Sequence, residues 1–586
     1  MTETYETKRK IFEIMRARMT QERASFMSQW RDLADYILPN RPRFFVTSAN
    51  RGERKNQKII DSTATIAART LRSGMMSGVT SPARPWFRLT TPDPNLSEFG
   101  AVKQWLSVVS QRMSTALLKS NLYNTLPLVY GDLGIFGTAA MYCEEDETSG
   151  EVSRFSCWPI GSYMISANSK GQVDTTVREF RMTIAQLIED FGIKDKKGKI
   201  ENEENFSPLV LECYRESKLQ EWIDVVHIIR PNPDFDSLAL ESKYKRYSSC
   251  YYEQGSSSSR GGSNYLDESY DRYLRESGYD LFPVLVPRWE VSGEDFYGTE
   301  SPGMCAIGDV KALQTLHRRM AQAIEKSIHP PMNADSSLRT AKLSILPGDI
   351  NYIMGQNGQA GFVPAYQLNP RINEMMLYIQ EHQKRIQRTL FEDLFLMLAQ
   401  SDRRQITARE IDERHEEKLL ALGPVLEQLN QDLLDPLIDI VFSHMLNQGL
   451  IPEPPEEIEG QALKVEYISI MAQAQKLISI GGIERFAGFA SQVAQVNPEA
   501  LDKIDTDQIL DVYADITSIP PGIVRSDDQV AAIRQQRAKQ QQQAQMAAMM
   551  QQGADTAKTL SETDTEGENA LSSLLKQGNA GALVPA

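Results

Sequence analysis

Prolines divide the second half of this sequence into helices of defined length. Residues 303–327 carry apolar side chains at helical spacing, and Pro330 and Pro331 end that helix because neither can donate the next backbone hydrogen bond. A second segment with helical spacing covers 371–398. The glycine-rich stretch between them has strand and turn signals. The pattern predicts two helices of roughly 40 Å each that carry a small module at their far end.

A polar loop, 399–406, follows the second helix, and the next helix has strong start signals. Thr407 and Glu410 have the spacing of a capping box, in which each side chain accepts a hydrogen bond from a backbone amide at the helix start. Such a cap contributes about 1 kcal/mol. Pro424 and Pro436 lie farther along the same helix and each removes an amide donor, so we expect kinks at both.

The first half of the chain predicts helices followed by a sheet. Apolar spacing indicates helices over about 8–38 and 62–76. Short β-rich runs follow between 141 and 286: AAMYCEED, EVSRFSCWPI, PLVLECYRE, WIDVVHIIR and LFPVLVPRW. A Ser-, Gly- and Tyr-rich segment, about 245–278, interrupts them and is expected to be a flexible surface insert. The predicted fold class is α+β, mainly α.

The end of the chain changes composition twice. Residues 449–528 are acidic and predict short helices. Residues 529–586 are rich in Gln, Ala and Met at first, which predicts a helix to about 552 and a disordered tail beyond it.

Composition bounds the class of protein. The 586 residues exceed one hydrophobic core, so two to four domain-sized units are expected. A formal net charge of −15 argues against a simple nucleic-acid coat, which needs a basic surface. Five scattered cysteines without a C-x-x-C pair suit a reducing compartment. The sequence has no apolar run of membrane-spanning length and no signal core at its start, so we expect a soluble protein without a membrane partner.

The motifs of the common catalytic sites are missing. No phosphate-binding P-loop is present, and the GQNGQAG run lacks the lysine and the helix that such a loop needs. His415 and Glu416 begin like a zinc-protease motif, but Leu419 stands where the second histidine is required. No nucleophile elbow occurs. We therefore expect no catalytic residues, no metal and no cofactor, and a protein that is not an enzyme.

Four stretches carry a family resemblance. They are LRSGMMSGVTSPARPWFRLTTPD (71–93), NLYNTLPLVYGDLGIFGTAAMY (121–142), FYGTESPGMCAIGDVKALQTL (296–316) and RRQITAREIDER (403–414). With the order of the predicted elements, they resemble the portal (head-to-tail connector) proteins of short-tailed, podovirus-type bacteriophages. The resemblance runs in order through roughly residues 5–530. The Ser/Tyr-rich insert and the Gln-rich tail depart from the family pattern.

The resemblance implies a portal fold with a wing, a two-helix stem, a small clip, a long kinked helix and a helical crown. Carried onto this sequence, the parts are N-terminal helices and mixed wing 1–302, first stem helix 303–330, clip 331–370, second stem helix 371–398, tunnel loop 399–406, long kinked wing helix 407–448, crown 449–528 and Gln-rich tail 529–586. Twelve such subunits close a ring. In the tunnel loop, Ser401, Asp402, Arg403, Arg404 and Gln405 are then expected to face a central channel through which DNA passes.

The function implied is a ring at one capsid vertex that serves as the channel for packaging and ejecting double-stranded DNA. Its partners would be eleven further copies, DNA bound without sequence preference, the terminase motor, tail adaptor proteins, and capsid and scaffolding proteins. It would be assembled in the cytoplasm of the host bacterium and end in the virion. A mostly acidic channel with one or two basic rings would let DNA slide without sticking.

Alternatives stay open at this point for the function of the chain and for the two arginines. The chain could be another virion component, such as a scaffolding or internal core protein, or a DNA-processing enzyme. Arg403 and Arg404 could be a solvated turn, or could pair with an acid of a neighbouring subunit.

Overall fold

The structure is a computed structural model. It describes residues 8–45, 55–93, 96, 99–146, 150–195, 200–254, 272–334, 339, 344, 362–365, 371–401, 422–458, 460, 463–468, 486, 488–489, 492, 508–509 and 527–561. Helices surround antiparallel sheets, which is the mixed α+β arrangement that the sequence predicts.

The helices of the first half are α1 (Lys8–Tyr36), α2 (Thr63–Val79), α3 (Gly100–Lys119), α4 (Leu122–Phe136), α5 (Ile184–Phe191) and α6 (Pro208–Arg215). Those of the second half are α7 (Pro302–Ile328), α8 (Ile372–Thr389), α9 (Glu392–Ser401), α10 (Gly423–Leu429), α11 (Asp435–Asn447) and α12 (Asp527–Ser561). Short 3₁₀ turns lie at Glu203–Asn205, Ser242–Tyr244 and Glu456–Ile458.

The strands of the first half are β1 (Phe87–Thr90), β2 (Ala140–Glu145), β3 (Ser153–Trp158), β4 (Tyr163–Ala167), β5 (Val173–Thr183), β6 (Trp222–Pro231), β7 (Tyr247–Glu253), β8 (Arg275–Tyr279) and β9 (Val284–Leu285). Those of the second half are β10 (Met332–Ala334), β11 (Phe362–Pro364) and β12 (Lys464–Tyr467). They form a five-stranded sheet in the order β4-β5-β6-β7-β8, a three-stranded sheet β3-β2-β9, and the pairs β1-β12 and β10-β11. Every pairing is antiparallel.

Helix α1 lies across the five-stranded sheet because its apolar side chains recur on one face. Phe12 and Met19 are buried in a small core with side chains of β4, β5, β6 and β7. The Arg16 guanidinium lies 2.8 Å from the Glu179 carboxylate, and Arg23 donates to the Gly161 carbonyl at 2.7 Å. Packing and polar contacts therefore both fix this helix to the sheet.

One row of side chains crosses the five-stranded sheet. The register places Arg178 beside His227, His227 beside Tyr251, and Tyr251 beside Arg275. The His227 and Tyr251 rings stack at 3.7 Å, and the His227 imidazole lies 2.9 Å from the Ser249 hydroxyl. Burial, with the two neighbouring arginines, lowers the pKa of His227 well below its usual value. This histidine is therefore neutral in the folded protein.

Helices α2 and α4 form the centre of the main core. The same core takes in β1, β2 and β3, the first half of α7, and helices α10 and α11. Gly137 ends α4 in the left-handed region, with φ of 76°, and lets the chain turn into β2. The core therefore lies between the helices and the three-stranded sheet.

Two assignments in the sheet region were wrong. The run PLVLECYRE forms helix α6, since the Ser207 hydroxyl accepts a hydrogen bond from the Val210 amide and Pro208 suits the first helical turn. The segment 245–278 is not all loop, because β7 and β8 lie within it. Ser249 of β7 is buried beside His227, and the hydroxyl of the half-buried Tyr279 of β8 lies 2.7 Å from that of Tyr142.

The second half departs from expectation in three places. The predicted helix 371–398 is two helices, α8 and α9, because Phe391 takes a φ of 55° between them. The predicted helical region 449–528 contains strand β12, which pairs with β1 far back in the sequence. Helix α12 continues to Ser561, past the predicted end near 552. Within the module 331–370, β10 and β11 pair at its base, and 345–361 lie outside the described residues.

Candidate functional site

The predicted channel loop, 399–406, starts later than expected, because residues 399–401 are still helical at the end of α9. Ser401 is the last residue of α9, and the description resumes at Leu422. The other predicted site residues of this segment, Asp402, Arg403, Arg404, Gln405, Thr407 and Glu410, lie outside the described residues. What the structure defines is therefore how the helices before and after the loop are held.

Helix α9 leads into the loop and is pressed against α2. Leu394 and Phe395 are buried, and Phe395 lies directly over Gly74. A Cβ atom at Gly74 would come within 2.1 Å of Phe395 Cγ, far inside any real contact. The glycine therefore lets α9 approach the α2 backbone, and this fixes the entrance to the loop.

The break before α9 directs that helix. Phe391 has a left-handed backbone, which costs roughly 1–2 kcal/mol in a residue with a side chain. Its ring stacks on Trp289 at 6.3 Å between centroids. Ring packing and the burial of Phe395 offset the strain. The chain thus bends at Phe391 and reaches the loop in a set direction.

Helices α10 and α11 are the first helices described after the predicted loop. Pro424 is the second residue of α10 and Pro436 the second residue of α11, where a missing amide costs least. Between these helices, Asn430–Leu434 forms a π turn. In this turn the Asp435 amide donates to the carbonyl of Asn430, five residues back.

The same π turn holds a largely buried ion pair. Arg288 donates from Nε to one oxygen of Asp432 at 3.0 Å and from Nη2 to the other at 3.2 Å. Gln428 donates to Asp432 at 2.8 Å, and Arg288 also donates to the Gly171 carbonyl at 2.9 Å. The two charged side chains are only 5% and 12% exposed. A two-point contact of this kind joins the helix after the loop to the sheets.

A second contact holds α11 from the other side. The Tyr467 hydroxyl on β12 donates to the Asp435 carboxylate. Burial raises the pKa of Asp435, and it also raises the pKa of Asp439 one turn on. Since β12 pairs with β1, the segment 463–468 connects the start of α11 to the region around Phe87.

Helices α7 and α8, the two helices of the predicted stem, run antiparallel. His382 Nδ1 lies 2.9 Å from an Asp309 carboxylate oxygen, and Arg385 lies 3.6 Å from the same atom. Gln383, the residue after His382, donates to the Asp61 carboxylate at 2.9 Å. His317 Nε2 of α7 lies 3.0 Å from the same carboxylate oxygen. Side chains of both helices thus converge on one carboxylate before α2.

Asp61 remains charged although it is partly buried. Burial opposes ionisation, but hydrogen bonds from Thr63 and Gln383 and the charge of His317 hold the pKa of this carboxyl below its usual value. Gln314 of α7 accepts from the Ile60 and Asp61 amides at 2.7 and 2.8 Å and donates to the Asp61 carbonyl at 2.9 Å. The base of the stem is therefore fixed to the segment before α2.

The end of α7 and the start of α8, here called the outer stem, are not packed against other described parts of the chain in this way. The buried side chains of α7 end at Gln314, and those of α8 begin only at Ile379. The exposed large apolar side chains beyond those points are Ile328, Ile372, Met376, Leu377 and Tyr378. A paired helix surface of this kind is suited to contact with other chains.

Within the described ranges, no group of three or more His, Cys, Asp or Glu side chains could hold a metal ion. A search of the same residues finds no helix with the length and apolar content of a membrane span. All five cysteines are free.

The sequence did not indicate the residue pairs that hold the helices on either side of the predicted loop. Gly74 stood in the quoted SGMMSG stretch, but its partner Phe395 is more than three hundred positions away. Arg288 and Asp432 are 144 positions apart. Only the ends of the elements carried a local signal: Ser301, for example, caps α7 by accepting from the Met304 amide at 3.2 Å.

Comparison with known proteins places the chain in a class of phage structural proteins. A sequence model of the bacteriophage head to tail connecting protein family matches residues 12–524, and the chain belongs to that family. It is 45% identical over 564 residues to the portal protein of Salmonella phage epsilon15, an alignment that covers 96% of this chain and 97% of that protein. It is 41% identical over 571 residues to the probable portal protein of Bordetella phage BPP-1, covering 97% and 98%. The resemblance drawn from the sequence is confirmed.

Proposed function

We propose that this chain is a portal protein that closes a twelve-subunit ring at one capsid vertex. The observation that carries the proposal is family membership over 12–524, together with near full-length similarity to two phage portal proteins. The exposed apolar side chains of the outer stem support it, because neighbouring stems in a ring would cover them.

In this proposal the loop 399–406 lines the channel. Two contacts in the neighbouring described parts of the chain support a role in which the position of the loop matters. Phe395 packs on Gly74 in the helix before the loop, and the Arg288–Asp432 pair holds the π turn that follows α10. Arg403 and Arg404 would then form a ring of repeated positive charge around double-stranded DNA. Phosphate contacts carry no sequence information, so the DNA would pass without sequence preference.

The module 331–370 is the proposed docking surface for the terminase motor and later for tail adaptors. The β10–β11 pair lies directly after α7 in the sequence and shortly before α8, so the module begins and ends next to these two helices. Capsid and scaffolding proteins would contact the wing, 1–302. The proposed location is the virion, after assembly in the host cytoplasm. The proposed role requires no catalysis by the chain itself.

The test is a phage in which the gene for this chain is silenced. Under the proposal, capsid shells assemble but contain no packaged DNA and carry no tails. A scaffolding or internal core protein would give a different result: misassembled shells in the first case, or shells that still join tails in the second. Packaged, tailed heads without this chain would overturn the proposal.

A further inference from the structure

The turn between β6 and β7 exposes apolar side chains to water. Within residues 232–241, here called the leucine turn, Phe235 is 52% exposed, Leu238 89% and Leu240 fully exposed. Single exposed leucines are ordinary on protein surfaces, but a cluster at the tip of one protrusion is typical of a contact site.

Hydrogen bonds hold the leucine turn in this shape. Asn232 donates from Nδ2 to the carbonyls of Lys243 and Lys245 at 2.9 and 2.8 Å. The Asp236 amide donates to the Tyr244 carbonyl at 3.0 Å, and the Asp236 carboxylate accepts from the Leu238 amide at 2.9 Å. A turn fixed at its base and its tip presents the leucines with little ordering cost on binding.

The leucine turn is also acidic. It carries Asp234, Asp236 and Glu241 and no basic residue, and Glu241 is paired with Lys243, just beyond the turn, at 2.6 Å. A partner surface should therefore be apolar at its centre and basic at its edge.

One open cavity on the same chain has that character. It has a volume of about 370 Å³, and the lining apolar residues are Ala34, Pro39, Pro42, Phe44 and Phe45. Lys55 and Lys58 also line it, and the one acid of the lining, Asp35, pairs with Lys58 at 2.5 Å. The Arg31 guanidinium lies 5.7 and 5.5 Å from the Phe44 and Phe45 ring centres. We call this the Phe44–Phe45 cavity.

The leucine turn and the Phe44–Phe45 cavity lie near opposite ends of α1. Arg230, two residues before the turn, lies over the Phe12 ring at 4.9 Å. At the other end of the helix, Ala34 and Asp35 line the cavity. The 22 residues between Phe12 and Ala34 span about 33 Å of helix. The two surfaces are therefore far apart on one subunit, as a head-to-tail contact between neighbours in a ring requires.

We propose that the leucine turn of one subunit inserts into the Phe44–Phe45 cavity of the next copy of this chain. The inference rests on the proposed ring and adds the surfaces by which neighbouring wings recognise each other. Leu238 and Leu240 would enter between the phenylalanines, and Asp234 and Asp236 of the turn would face Arg31 and Lys55.

The test is a disulfide between neighbours. Leu240→Cys is combined with Phe45→Cys in a Cys305→Ser background, which removes the exposed native cysteine. A disulfide needs Cα atoms within about 7 Å, so one chain cannot bridge these two positions by itself. The control pairs Phe45→Cys with Leu209→Cys, on an exposed residue of α6. Rings are first isolated, then oxidised, and the covalent species are sized under denaturing conditions.

The expected result is a ladder of covalent oligomers up to the full ring for Leu240→Cys with Phe45→Cys, and none for the control. Intact rings with no ladder above the control would overturn this inference and leave the proposed function standing. Failure of the unmodified protein to form rings would overturn the proposed function, and this inference with it.

A second variant measures what the contact contributes. Leu238→Asp with Leu240→Asp places charge where the apolar contact forms, and should reduce ring assembly at a given concentration by at least about tenfold. The monomer should fold normally, since Leu238 and Leu240 are almost wholly exposed in the single chain. Unchanged assembly with unchanged folding would contradict the proposal.

Discussion

Phe395 lies on the backbone of Gly74, with no room for a Cβ atom between the two helices. This contact joins the helix before the proposed channel loop to one of the four stretches that resemble the portal family. The loop's entrance is therefore set by packing rather than by polar contacts.

Gly74→Ala should destabilise the fold. The added methyl group would lie 2.1 Å from Phe395 Cγ, so α9 must shift, and overpacking of this kind typically costs about 1–3 kcal/mol. Urea unfolding of the two proteins measures the difference.

Gly308→Ala is the matched control for that change. Gly308 also lies inside a helix, α7, but a Cβ there meets nothing within 4 Å. Alanine should be neutral or stabilise by roughly 0.5–1 kcal/mol, because glycine disfavours helix interiors. Equal effects at the two glycines would show that the Phe395 contact is not tight.

Asp432→Asn should strongly destabilise the fold, because it breaks the Arg288–Asp432 ion pair at the turn between α10 and α11. It leaves the Arg288 charge buried without its partner, and breaking a buried pair costs about 3–5 kcal/mol. The exposed pair Arg215–Glu203 serves as the control, since Glu203→Gln should cost less than about 1 kcal/mol. Similar losses for both variants in urea unfolding would mean that the Arg288 pair is solvated.

His227 should make the wing domain less stable in acid. Its folded pKa lies well below the unfolded value because of burial and the nearby Arg178 and Arg275. Below pH 6.5 His227 is protonated in the unfolded chain but stays neutral in the folded chain. The free energy of unfolding therefore falls as the pH drops, by at most about 1.4 kcal/mol per pH unit.

His227→Gln tests that assignment. The glutamine keeps a polar group near Ser249 and does not titrate, so its free energy of unfolding should change less between pH 7 and pH 5 than that of the unmodified chain. The lowered pKa of His444 acts in the same direction and is present in both proteins. An identical pH dependence in the two proteins would exclude His227 as the source.

Arg403→Ala combined with Arg404→Ala should alter DNA movement without altering the ring. Surface changes of this kind shift stability by less than about 1 kcal/mol per subunit. The lost charges recur around one axis, so DNA retention should weaken, most clearly at low salt. Filled-head yield and retention across a salt series measure this.

Thr407→Ala is the companion variant for the loop. It should cost about 1 kcal/mol at the predicted helix cap while leaving the loop charge unchanged. If the double-alanine ring packages and retains DNA like the unmodified ring at every salt concentration, the two arginines are a solvated turn.

The sequence predicted the ends of helices well where a single residue type, such as proline, restricts the backbone conformation. The prolines at 330 and 331 indicated the end of α7, which the structure places at Ile328. The break at Phe391 had no such signal, because a phenylalanine with positive φ is held only by tertiary contacts such as Trp289. Strand β7 was missed for a related reason: its tyrosines and serines look like a loop until their buried partners are known.

The supports of the candidate site could not be predicted from sequence. Each depends on two residues distant along the chain, such as Arg288 and Asp432, and one sequence does not show which distant residues meet. Family resemblance supplied the order of the parts, and the structure supplied the contacts that position them.

The central claim is that copies of this chain close a ring around a channel. Purified protein at micromolar concentration, measured by native mass spectrometry and imaged by negative-stain electron microscopy, tests it most directly. The expected result is one closed species of twelve subunits with a central opening. A monodisperse monomer by mass and by image would contradict it.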